Sequence, residues 1–137
     1  MCPFHQASPS AQIEGKPTWT VYPKTILEQL AANGRANHER IEAGRDTIDH
    51  PPVVKLFAPD GGATWLLSET DPEDPDIAFG LCDLGFGCPE LGSVRMSLLY
   101  THRGRLGLPI ERDLHFKAAE RLGTYAARAR EAGGIVT

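Results

Sequence analysis

The sequence predicts a single α+β domain, an antiparallel sheet of about four to six strands with helices from both chain ends packed on it. Three observations lead there. Helical spacing of apolar residues is strongest near the two ends, at Ile26–Ala31 and Leu122–Ala129. Between them lie short β-branched and aromatic runs, set apart by turns. Eight of the 14 glycines fall between Gly61 and Gly107, which marks that middle as turn-rich. The order of helix, successive strands, then helix favours antiparallel steps over βαβ crossovers.

Residues 1–17 hold Pro3, Pro9 and Pro17 among small polar residues and are expected to form a flexible arm, with 18–137 as the domain. Pro23 suits the first turn of a helix, where its missing N–H is not needed. Ile26, Leu27, Leu30 and Ala31 form one apolar stripe, and Asn33-Gly34 is the expected stop. Residues 35–50 are mostly charged and polar, compatible with a solvated helix or a linker. Pro51-Pro52 breaks the chain. Val53–Phe57 and Ala63–Ser68 then read as a hairpin around the turn Pro59-Asp60-Gly61-Gly62. Glu69–Asp76 is expected to be an acidic loop held open by Pro72 and Pro75. Ile77–Cys82 is a third strand, Asp83–Gly87 a glycine-rich connection and Glu90–Met96 a fourth strand. Ser97 is a candidate cap for a short helix through Leu98, Leu99 and Tyr100. Arg103–Pro109 reads as a loop, and Ile110–Phe116 alternates as a fifth strand. Ala118–Ala132 is the last helix, stopped by Gly133-Gly134.

Composition excludes several classes. An apolar share of 41% is enough for a packed core. A net charge of -4 argues against a general binder of phosphate backbones. No stretch approaches the roughly 20 apolar residues that cross a bilayer. Met1–Gln12 lacks the basic start and apolar run of a signal peptide. Three cysteines, Cys2, Cys82 and Cys88, give an odd count. Free thiols and a cytoplasmic location are therefore expected.

Four groups of residues invite chemical readings. On a strand, Glu111, Asp113 and His115 would share a face and suit a divalent cation or acid–base work. Their structural alternative is pairing with nearby arginines. The intervening Arg112 would then point to the core, where a carboxylate such as Asp83 or Glu90 would clamp it. Second, Gly85 and Gly87 lie in a loop that would present N–H groups to an anion or make a wide hairpin turn. Third, Cys82 and Cys88 are spaced further apart than the usual zinc knuckle; Cys2 and His5 could complete a four-ligand set if the arm folded back, but small apolar residues bracketing a turn is the better reading. Fourth, the acidic run with Asp71, Glu73, Asp74 and Asp76 lacks the glycine and glutamate of a calcium loop. It reads as a solvated face or a docking patch for a basic partner.

Several words of the sequence also look familiar together. Val54-Lys55-Leu56-Phe57, Ala63-Thr64-Trp65-Leu66-Leu67, Phe79-Gly80-Leu81-Cys82-Asp83-Leu84-Gly85, Pro89-Glu90-Leu91-Gly92 and Gly107-Leu108-Pro109-Ile110-Glu111-Arg112-Asp113 occur in one order. From Pro52 to about Ala129 the chain resembles an uncharacterised bacterial family, a domain of unknown function. Tyr22–Asn33 is similar to the helix that opens such proteins. The resemblance implies a small cytoplasmic protein carried by conjugative plasmids and integrative elements, among functions such as antirestriction, maintenance and transfer. It transfers no reaction and no catalytic residue, but it adds weight to Asp83, Glu90, Glu111, Arg112 and Asp113.

The expected function is non-enzymatic. The protein would bind or regulate a protein partner through loops 59–76 and 83–92, with no cofactor, nucleic acid or membrane required. The first alternative is a divalent-metal-dependent hydrolase or nuclease. It would hold Mg or Mn on Asp83, Glu90, Glu111 and Asp113, with His115 as ligand or proton shuttle. The second alternative is an acidic mimic of DNA, for which the charge is modest.

Overall fold

Alternation along the strands sorts the apolar residues into two sets, one for each face of a sheet. In the computed structural model, which describes residues 22–137, five strands form that sheet. They are β1 (Val54–Phe57), β2 (Thr64–Asp71), β3 (Asp74–Asp83), β4 (Glu90–Arg95) and β5 (Glu111–Arg112). All pairings are antiparallel, in the order β4-β3-β2-β1-β5. The helices are α1 (Lys24–Glu42), α2 (Met96–Thr101) and α3 (Leu122–Ala132). Among the described residues no helix is long and apolar enough to cross a membrane.

Leu56, Trp65 and Cys82 stand side by side across β1, β2 and β3. With Val54, Leu67, Ala78 and Val94 they form the larger core, beneath Leu30 of α1 and Met96 and Leu99 of α2. The intervening residues Leu66 and Leu81 face the other way and meet Leu122, Tyr125, Ala126 and Ala129 of α3. Leu30, Leu56, Leu66 and Leu67 are fully buried, each contributing about 2 kcal/mol of transfer free energy. The predicted α+β class, antiparallel sheet and flanking helices are all present, with one helix layer on each face.

The first helix runs further than its sequence suggests. Asn33-Gly34 does not end it; α1 continues to Glu42, so the first part of the ambiguous stretch 35–50 is helical. The reason lies in the sheet. β1 pairs with β2 only up to Leu67, which leaves the rest of the β2 edge without a strand neighbour there. The helix covers that edge. Asn33 Nδ2 donates to the Ser68 carbonyl at 2.9 Å. A Cβ at Gly34 would stand 1.7 Å from the Thr70 carbonyl oxygen. Glycine is there for close approach, not for termination.

Three other elements differ for identifiable reasons. Glu69–Asp76 is no open loop: most of it belongs to β2 and β3, joined by Pro72-Glu73, where the Glu73 N–H bonds Asp71 Oδ1 at 2.9 Å. Ser97 is not the cap of α2, because the Asp76 carboxylate takes both its N–H (2.9 Å) and its hydroxyl (2.7 Å). The predicted strand Ile110–Phe116 is reduced to Glu111–Arg112. After the Asp113 N–H bonds the Lys55 carbonyl at 2.9 Å, Asp113 Oδ1 accepts the His115 N–H at 2.9 Å. An aspartate bonded two residues onward makes a turn, and the chain leaves the sheet. Leu114, which strand alternation would turn the same way as Arg112, is instead 71% exposed. The last helix starts at Leu122 rather than Ala118. There Asp49 accepts the Gly123 N–H on both oxygens (3.1 and 3.2 Å), and the His50 carbonyl accepts that of Leu122.

Gly34→Ala tests the helix–edge contact. Alanine gains about 1 kcal/mol of helix propensity, but its methyl overlaps backbone that cannot move aside. Denaturant titration should show a net loss of about 2 kcal/mol or more. Gly92→Ala, with no atom within 4 Å of the added carbon, should lose little.

Candidate functional site

The carboxylates singled out in the sequence do not converge. Asp83 is buried, accepting the Gly85 N–H on Oδ1 (2.9 Å) and the Ile135 N–H on Oδ2 (3.0 Å). It therefore pins the chain beyond α3. Glu90 begins β4 at one sheet edge, whereas Glu111 lies in β5 at the other, four strand spacings or about 19 Å away. Glu111 and Asp83 occupy one cross-strand row, through Phe57 and Thr64. They are still three spacings apart, about 14 Å. Glu90 belongs to the neighbouring row with Cys82, which points to the opposite face. Asp113 lies 3.6 Å from Lys55, and the His115 N–H only closes the turn. The backbone bond from His115 holds the Asp113 carboxyl below its usual range, with help from Lys55. Among the described residues no group of three or more His, Cys, Asp or Glu is placed to hold a metal ion. The proposed Mg or Mn set thus does not assemble: Asp83, Glu90 and Glu111 stand on separated strands, and the turn at Asp113 takes the chain out of the sheet before His115.

The clamp expected of Arg112 is also not formed. The Asp83 carboxylate is engaged by backbone N–H groups, and Arg112 Nε is buried without a hydrogen-bond partner. Gly85 and Gly87 have φ of 86° and 84°, the left-handed region that favours glycine. The Gly85 N–H faces its own Asp83, and its Cα side packs on Gly62. This loop closes on the β1–β2 turn, and that N–H is not offered to an anion. Cys82 is free and buried. Burial, then the Glu90 charge, push its thiol up to about 12, so it is no nucleophile. Cys88 is disulfide-bonded, which corrects the expectation of free thiols there; an odd count forbids pairing every cysteine, not any one. Cys2 and His5, with the predicted arm, lie outside the described residues.

The acidic run fares differently, because the β2–β3 hairpin places it between two clefts. The larger, about 510 Å³, is walled by Tyr22, Leu27 and Ala31 from the α1 side and by Pro75, Met96 and Tyr100 opposite. Lys24, Glu28 and Asp76 add the charges at this cleft. The Tyr22 hydroxyl donates to the Met96 carbonyl at 3.0 Å. Burial, then Asp76, raise its ionisation far above the ordinary phenol range. Asp74 and Asp76 lie 3.3 and 3.6 Å from Arg95. The smaller cleft, about 350 Å³, lies between the later turns of α1 and the hairpin. Asn37, His38, Glu69, Asp71 and Glu73 contribute its polar groups, and Ile41 and Phe79 its apolar ones. Asn37 donates to Glu69 Oε1 at 2.8 Å and to the Ile48 carbonyl at 3.0 Å. His38 Nε2 is 3.5 Å from Glu42 and 4.0 Å from Glu73. Burial raises the Glu69 carboxyl above its usual range, partly offset by the Asn37 bond and the nearby His50.

The sequence reading missed Asn37 and His38 because it stopped α1 at Gly34, so that Glu69 of the acidic run was left without its helix partner. A signal was available. Leu30, Asn33, Gly34 and Asn37 follow the i, i+3, i+4, i+7 spacing of one helix face, and that face is buried although largely polar.

Glu69 generates a pH prediction. A carboxyl raised in the folded state binds its proton more tightly there, so its contribution to stability falls as pH rises from about 4.5 through the raised value. Glu69→Gln keeps an acceptor for Asn37. It should unfold at a higher temperature than wild type at pH 7, with the gain shrinking as pH falls through the raised value toward about 4.5. Asp83→Ala should cost about 1–3 kcal/mol by stranding N–H groups, read by chemical denaturation, as befits a pin rather than a reactive acid.

The chain matches no curated protein and no solved structure. A family model, described as a protein of unknown function (DUF2958), matches residues 21–136. That span takes in Tyr22–Asn33 and the stretches between Val54 and Asp113, and also residues 35–50. The chain belongs to the DUF2958 family.

Proposed function

We propose that this protein is a non-enzymatic binding protein of a mobile genetic element, acting in the cytoplasm by docking a basic, amphipathic segment of a protein partner against the β2–β3 hairpin and α1. The mobile-element setting, with antirestriction or element maintenance as its frame, rests on the resemblance of the sequence. The docking mode rests on one observation: the apolar cleft of about 510 Å³ has the Glu28 and Asp76 carboxylates beside its apolar walls. Asp71 and Glu73 extend the negative charge to the far side of the same hairpin. Apolar side chains seated in a groove supply affinity, and complementary charge supplies rate and register. No cofactor is needed for this role. DNA mimicry has less support, because Asp74 and Asp76 have Arg95 as a neighbour.

A dye-labelled amphipathic lysine–leucine peptide provides the probe, read by fluorescence anisotropy. Wild type should bind it saturably. Ala31→Arg, which fills the cleft with a cation, should weaken binding by about tenfold or more. Glu73→Lys should weaken it less and reduce its salt dependence. Leu114→Ser, at the other sheet edge, should change nothing. Equal binding by wild type and Ala31→Arg would overturn the docking mode.

A further inference from the structure

Arg112 stands opposite Leu56 in the sheet, in the row that continues to Trp65 and Cys82. Its side chain therefore enters the face that carries the larger core. The residue is half-buried, and its Nε is sealed from solvent. Among the described residues the guanidinium makes no hydrogen bond and no ion pair. The carboxylates that might have met it are engaged elsewhere: Asp83 by backbone N–H groups, Asp113 beside Lys55. A buried donor without a partner is unfavourable until an acceptor arrives, and Arg112 Nε is such a donor.

The surroundings describe that acceptor. Arg112 lines a pocket of about 360 Å³ with Arg103, Tyr100, Pro109, Ile110 and Leu114. Arg103 is held in place, donating to the carbonyls of Tyr100 (3.3 Å) and His102 (2.8 Å). The loop carrying it is fixed in turn, because Asp60 Oδ2 accepts the N–H groups of Leu106 (2.8 Å) and Leu108 (3.4 Å). Two arginines thus line the pocket with a single carboxylate residue, Glu111. The remaining walls are apolar, and Leu114 leaves an apolar side chain 71% exposed there.

We infer that this pocket binds a small organic anion, with its oxyanion head on Arg112 and Arg103 and an apolar body against Tyr100, Pro109, Ile110 and Leu114. Guanidinium favours carboxylate and phosphate oxygens in paired bonds. The volume suits a body of one or two rings. A fixed loop lowers the ordering cost of binding. The site is separate from the proposed docking cleft and shares only Tyr100 with it. Its occupancy does not depend on that reading.

The test uses the full chain, with phenyl phosphate, benzoate and inorganic phosphate as probes, by thermal shift and calorimetry at constant ionic strength. Phenyl phosphate or benzoate should raise the unfolding midpoint saturably; whichever is stronger identifies the head group. Inorganic phosphate, which lacks the body, should bind more weakly. Arg112→Gln should reduce affinity by at least about tenfold. Without probe it should unfold no earlier than wild type, since it removes a charge without a partner; a structural clamp would predict the opposite. Arg103→Gln, at an exposed position, keeps the test decisive should Arg112→Gln fold poorly, and should also weaken binding. No response to either organic anion, an undiminished response in both variants, or a clearly destabilised, folded Arg112→Gln would overturn the inference.

Discussion

The contact on which the architecture depends is the meeting of α1 with the unpaired part of the β2 edge. A sheet edge exposes backbone groups that must be satisfied or covered. Here β1 is too short to cover all of β2, and the helix takes over. Asn33 satisfies the Ser68 carbonyl, and the bare backbone of Gly34 comes against Thr70. That proximity sets the line of α1, brings Asn37 to Glu69, and leaves a cleft on each side of the junction. The candidate binding surface is thus a by-product of how an edge is closed.

Aspartates do much of the remaining fixing. Asp49 caps α3, Asp60 holds loop 103–109, Asp76 holds the start of α2, Asp83 pins the chain after α3, and Asp113 shapes the turn after β5. In each case a carboxylate accepts backbone N–H groups and so fixes a local conformation. These acids are thereby committed to architecture. A modest negative charge distributed in this way gives a defined frame, not a reactive cluster.

The class of fold was legible because it follows from alternation and turn residues, which act locally. The β1–β2 hairpin and the third and fourth strands stood in the sequence, although β2 ends and β3 begins three residues inside the expected acidic loop. What was not legible depended on distant partners. Asn33-Gly34 has the local chemistry of a helix end, and only the Thr70 carbonyl explains why it is not one. Ser97 has the chemistry of a cap, but Asp76 on another strand determines its bonds. Ile110–Phe116 alternates convincingly, yet one side-chain bond at Asp113 turns the chain away, and with it went the shared face of Glu111, Asp113 and His115. Of the candidate residues, the acidic run around the hairpin came together in space, while the dispersed carboxylates of β3, β4 and β5 did not.

The segment from Ala43 to Val53 carries a final consequence. It leaves α1 on one side of the sheet, bonds Ile48 to Asn37 on both its N–H and its carbonyl, and then supplies Asp49 and His50 to the start of α3 on the other. The two apolar layers are therefore mechanically tied by one short strap at their rim. Fraying of the last helix would slacken the strap, and a slack strap would free Asn37 from the first. Local opening on either layer should spread to its neighbour, so the molecule is built to melt as one cooperative unit and not layer by layer.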